Sequence, residues 1–156
     1  MSGTSRVPAA IDALVALFQA TPGLGVAGVA VVDGPIITGD PLHEAVFVGY
    51  DGDPDGDGEA VTFDQEWAGL GARAKNESFV VMCAVSVWSG STKVVPVRTR
   101  AFEMLGEVET ALRTDPSLGL PPPTVVAMAS GSLVQSQRGS GLECRIPFQI
   151  AVQTRI

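Results

Sequence analysis

The chain has 156 residues, 46% of them hydrophobic and 17% charged, which is enough apolar matter for one domain with a real core and excludes a disordered or fibrous chain. Seventeen acids against ten Lys and Arg give a net charge of -7, so neither a generic phosphate-binding surface nor direct nucleic-acid recognition is expected. The charge is uneven: residues 1–72 hold eleven acids and one base, Arg6, whereas residues 73–156 hold six acids and nine bases. If the halves occupy different sides of the fold, one surface is negative and another positive, an arrangement suited to head-to-tail contact between copies.

Pro8 is followed by Ile11, Leu14, Val15 and Phe18 at helical spacing, and Thr21-Pro22-Gly23 stops the pattern, which predicts a short amphipathic helix. Strands are expected over Val26 to Val32, which ends at the turn Asp33-Gly34-Pro35, and over Ala45 to Tyr50. An acidic loop from Asp51 to Glu59 leads to a third strand, Val61 to Trp67. Gly69 and Gly71 mark a bend before Ser78 to Trp88, where Phe79, Val81, Cys83, Val85 and Val87 share one face of a strand. Helical spacing returns with Val97, Ala101, Leu105, Val108 and Leu112; Pro96 suits its first turn and Asp115-Pro116 ends it. After three stiff prolines, Thr124 to Ser130 and Leu133 to Gln137 read as strands.

The last segment alternates most clearly, with Leu142, Cys144, Ile146, Phe148, Ile150, Val152, Thr154 and Ile156 on one face. Extended at ~3.4 Å per residue it would reach ~50 Å, against a radius of gyration of ~15 Å for a compact domain of this size. It is therefore expected to bend at a bulge near Pro147 or to project toward another subunit. The order of elements predicts a single α+β domain: an antiparallel sheet, with a mixed sheet as the variant, and two helices packed on one face.

No catalytic, cofactor or metal set emerges from the residues. Gly23-Leu24-Gly25-Val26-Ala27-Gly28 matches GxGxxG, but a dinucleotide site needs a strand before the glycines and a helix after them, and here the order is reversed. Asp51, Asp53 and Asp55, with Gly56, resemble the opening of an EF-hand loop, yet position 12 is Thr62 where a bidentate Glu belongs. A solvated acidic loop is the better reading. His43 is the only histidine and has no GxSxG nucleophile motif to serve. Asp64 and Glu66 fall on one face of a strand and read as solvent-facing charge. Cys83 and Cys144 lack a CxxC pattern and read as buried free thiols. No apolar run approaches the ~20 residues that cross a bilayer, and Asp12 interrupts the hydrophobic stretch 9–20, so neither membrane insertion nor a signal peptide is expected. Trp67 and Trp88, each at a strand end beside glycine or serine-glycine, are interface candidates.

Four segments carry a resemblance: Val48-Gly49-Tyr50-Asp51-Gly52-Asp53, then Gln65 to Arg73, then Trp88-Ser89-Gly90, and Arg98-Thr99-Arg100-Ala101-Phe102 through Leu112 to Pro116. Together they resemble small structural proteins of tailed bacteriophages of actinobacteria, in the tail terminator or head-to-tail joining class. The likeness runs from the first helix to the Arg-Ile end. It implies a non-enzymatic virion protein, assembled in the host cytoplasm, that forms a ring, expected to be a hexamer. Its partners would be copies of itself, the tail tube protein and the head connector. Asp51, Asp53, Asp55, Trp67, Trp88, Arg98 and Arg100 are the candidate interface residues; Arg98 and Arg100 lie off the apolar stripe of the second helix, with Arg100, adjacent to Ala101, expected to be only partly exposed and Arg98 weighted more. The alternative is a cytosolic α+β binding module, calcium-dependent through the Asp51 to Glu59 loop.

Overall fold

The computed structural model describes residues 3–26, 28–36 and 42–156, with the side chain of Arg138 outside that description. Ala27, within both the first expected strand and the GxGxxG stretch, lies outside the described residues. Helix α1 spans Val7–Ala20. Pro8 opens it where its missing N–H costs nothing, and Thr21 closes it, its Oγ1 donating to the Leu17 carbonyl at 2.7 Å. Ala10, Leu14 and Phe18, four residues apart, are fully buried, and Ile11 and Val15 pack partly beside them.

Among the described residues, seven strands form one sheet: β1 (Val29–Asp33), β2 (Glu44–Val48), β3 (Val61–Trp67), β4 (Lys75–Ser89), β5 (Val125–Gly131), β6 (Val134–Arg138) and β7 (Gly141–Arg155), with helix α2 (Val94–Thr114) between β4 and β5. The spatial path is β1-β2-β4-β7-β5, with β3 beside the first half of β4 and β6 beside the first half of β7. All pairs are antiparallel except β1 with β2, so the sheet is mixed. The expected α+β class, with two helices and a mostly antiparallel sheet, is what the chain adopts.

The length problem of the last segment resolves through its partner. β4 and β7 are both fifteen residues long and pair in unbroken register from Asn76↔Arg155 to Ser89↔Leu142. The bulge expected near Pro147 is not in β7 against β4; the register shift lies in β5, between Met128 and Ser130. Met82 donates its N–H to Ala60 and Trp88 to His43, so even-numbered residues of β4 bond toward β2 and β3. Odd-numbered residues of β4 therefore bond to even-numbered residues of β7, and Pro147 turns its nitrogen away from β4. It sits where β5 ends and β6 begins, a gap that needs no N–H, while its carbonyl accepts from Ser132 at 3.0 Å.

Both helices cover the face made by Val46 and Val48 of β2, the odd-numbered residues Phe79 to Val87 of β4, and the even-numbered residues Cys144 to Val152 of β7. From α2, Val97, Ala101, Met104, Val108, Ala111 and Leu112 enter this core. Met104 takes the central place expected of Leu105, which is only partly buried. Each large side chain so buried contributes roughly 1.5–3 kcal/mol of transfer free energy. A small second cluster, Ala45, Phe47 and Ala84, lies on the opposite face.

Because β7 occupies one whole edge of β4, β2 and β3 share the other. Every strand of residues 1–72 thus lies on one side of β4, and the uneven charge of the sequence becomes an acidic and a non-acidic side of the sheet.

Candidate functional site

The acidic side centres on the loop between β2 and β3. Its aspartates are tied to their own backbone: Asp51 Oδ1 accepts from Asp53 N at 3.0 Å, Asp53 Oδ1 from Asp55 N at 2.9 Å, and Asp57 Oδ1 from Glu59 N at 2.9 Å. Glu59 also accepts from the Thr62 hydroxyl. Arg145 of β7 anchors the loop from beneath, donating to the Asp51 carbonyl at 2.7 Å, with Asp53 Oδ2 and Glu143 Oε1 each 4.0 Å away. Gly52, at φ 79°, lets the loop lie flat on that arginine: a Cβ there would stand 2.8 Å from Arg145 Cδ. Asp55, Asp57 and Glu59 stay exposed. Among the described residues, no three His, Cys, Asp or Glu side chains converge into a group able to hold a metal ion.

The candidate cations lie elsewhere. Arg100 Nε donates to Glu44 Oε2 at 2.5 Å, with Glu103 at 3.5 Å from Nη1, and the Glu44 hydrogen bond raises the guanidinium pKa further. Arg98 donates to Gln135 Oε1 of β6 at 3.1 Å. Arg100 is therefore a strut between α2 and β2, and Arg98 a weaker one to β6. Arg100 is half-buried, in keeping with its place beside Ala101, and the half-buried state of Arg98 follows from α2 lying across the sheet, which helical spacing alone does not reveal.

The two tryptophans part company. Trp88 is half-buried and meets His43 edge to face at 5.1 Å. Trp67 is 62% exposed, with Lys75 Nζ 5.0 Å from its ring centre. It ends β3 at a hairpin closed by Ala72 N to Gly69 O at 3.1 Å, with Leu70 fully exposed at the tip. Phe63, on the same face as Trp67, is 54% exposed.

Cys83 and Cys144 both point into the core and are fully buried. Burial pushes the Cys83 thiol up to about 12, against a smaller opposing effect of its hydrogen bond with the Gly49 backbone, and burial raises Cys144 as well. Cys144 stands opposite Val87, four residues along β4 from Cys83. That is ~14 Å, twice the reach of a disulfide.

Asp64 and Glu66 are exposed as expected and line a polar groove of about 660 Å³ with Asn76, Ser78 and Gln153 on the helix-free face. The edge opposite the acidic loop has another character. Residues 116–137, which include β5 and most of β6, contain no charged residue. Beside them a recess of about 390 Å³ opens between α2 and the β5–β6 bend, walled by Phe102, Leu105, Met128, Leu133, Ile146 and Phe148.

Two features escape a reading by motifs. Glu77 is buried at 2% exposure on the core face of β4, a position that extending the alternation of Phe79 and Val81 back by one step would have reached. The neutral run is visible in a charge count taken window by window, whereas the recess it borders exists only once α2 is packed. None of the protein-family models matches the chain, and no curated protein sequence matches it.

Proposed function

We propose that this protein is a non-enzymatic structural component of a tailed-phage virion, forming a ring on the last turn of the tail tube and presenting its other side to the head connector. The reading rests on the resemblance of four segments to tail terminator and head-to-tail joining proteins. Supporting it most is the segregation of the acidic strands β1, β2 and β3 from the β5–β6 edge, which carries no charge before Arg138, across a single sheet. Such unlike edges suit heterologous, ring-closing contact, in which one surface of a copy meets a different surface of the next. An interior dedicated to packing, with both thiols buried, fits a structural role.

Negative-stain electron microscopy of the purified protein, alone and mixed with tail tubes of the cognate tube protein, tests this. Rings seated at one end of the tubes support the reading. Tubes whose ends stay bare at saturating protein contradict it.

A further inference from the structure

Among the described residues nine large hydrophobic side chains are exposed, and five of them fall on two surfaces: Phe63, Trp67 and Leu70 on the β3–β4 hairpin, and Phe102 and Leu133 around the opposite edge, whereas Val125, opposite Gln153, faces the polar groove on the helix-free side. The hairpin is a projection and the opposite edge holds the apolar recess beside α2. Both belong to the helix-bearing face, since Trp67 pairs with Lys75 in the parity of Glu77 and Phe79, and Ile146 and Phe148 are core-facing residues of β7. The surfaces also differ in local charge. Lys75 lies over the Trp67 ring with Arg73 two residues before it in the hairpin, while the recess is lined by Glu109 of α2, paired at 2.8 Å with an exposed Arg113. Natural sheets usually protect an edge with charge or proline, and β5 carries neither within Val125–Gly131.

We infer that the hairpin tip of one copy, Trp67 and Leu70, seats in the Phe102–Leu133 recess of the next copy, with Lys75 and Arg73 toward Glu109 at its rim. This inference rests on the ring reading and names its two faces. When the knob of one copy fills the hole of the next while its own hole takes the knob of a third, contact propagates from copy to copy and closes where the rotation allows; reciprocal seating of two copies would instead stop at a two-fold dimer. The knob stands level with Lys75 and the recess level with Cys83, eight residues or ~27 Å along β4. Neighbours are therefore staggered, and the axis relating them is oblique to the strands. An apolar seat also makes association less sensitive to salt than a contact between the acidic loop and free arginines would be.

The test uses two single variants, Leu70→Cys and Leu133→Cys, with a short bifunctional maleimide; the native thiols are buried. Mixed, the two variants should give covalent dimers, and a chain carrying both changes should give a ladder. Neither single variant alone should crosslink. In parallel, Leu70→Asp should weaken association by roughly tenfold or more, the loss of one buried leucine contact, with the near-ultraviolet spectrum of the wild type. A doubly substituted chain whose products stop at the dimer, or crosslinking of Leu70→Cys with itself, would overturn the inference in favour of a two-fold contact. Rings seen by light scattering that neither crosslink nor respond to Leu70→Asp would overturn this interface and leave the ring reading standing. A wild type that stays monomeric at every concentration and on tail tubes would overturn both.

Discussion

Glu77 and Gln65 face each other across the β3–β4 pair, Glu77 Oε2 accepting from Gln65 Nε2 at 2.6 Å, while Glu77 Oε1 accepts from the backbone N–H of Arg6 at 2.7 Å. A carboxylate at the end of the core thus ties the edge strand to the residue that precedes α1, whose first turn carries no acid of its own. Gln65 Nε2 reaches the Thr4 carbonyl as well, at 2.9 Å. Strand and helix entry are held by one polar node.

Glu77→Ala leaves the part-buried Arg6 N–H without its acceptor and takes one of two acceptors from Gln65 Nε2, and is expected to destabilise the protein by about 1–3 kcal/mol. Glu77→Gln, which retains one acceptor, should cost about 1 kcal/mol. Denaturant unfolding measures both, and hydrogen exchange should accelerate first at the start of α1. Unchanged protection there in Glu77→Ala would contradict the node.

The two cysteines should remain reduced and label slowly in the native protein, then completely on denaturation without reductant. Cys83 also sets a pH dependence. Its folded pKa lies above the unfolded value, so the neutral thiol favours the fold; this contribution is whole below about pH 9 and is lost as pH rises toward about 12. The slope is at most about 1.4 kcal/mol per pH unit. Cys83→Val should flatten the decline between these limits, and an unchanged slope would show that Cys83 is not its source.

Replacing Asp51, Asp53 and Asp55 with Asn keeps a side-chain oxygen for each turn. Folding should be intact, with stability changed by less than about 1 kcal/mol, with or without millimolar calcium. A large calcium-dependent rise in Tm that the substitutions abolish would favour the calcium-binding alternative.

Arg100→Glu should lower stability by about 1 kcal/mol, because it sets a second carboxylate against Glu44. The exchange Glu44→Arg with Arg100→Glu should restore most of it. Arg98→Glu loses only a bond to a neutral amide and is the cleaner probe of association. If Arg100→Glu disrupts rings without any loss of stability, Arg100 contacts a neighbour rather than Glu44.

Much of the fold was legible because its signals are local. The period-two runs of β4 and β7 and the helical stripes of α1 and α2 place those elements within a few residues. What local pattern could not hold was partnership. The two fifteen-residue strands looked too long singly and proved to brace each other, and Pro147, which looked like a break, fills the gap between β5 and β6. The interface candidates fared likewise. Trp67 is exposed, whereas Trp88 is half-buried against His43, and Arg100 is bound to Glu44, fifty-six residues away in sequence. Side-chain availability depends on such distant contacts, which no spacing rule encodes.

The proposed ring that ends tube growth can be tested by adding the protein to tube protein while tubes elongate and measuring tube length by electron microscopy. Tubes should stop lengthening once the protein is present at about one ring per tube end, and Leu70→Asp, expected to be impaired in ring formation, should fail to stop them. Tubes that grow equally long with and without the wild-type protein would contradict it.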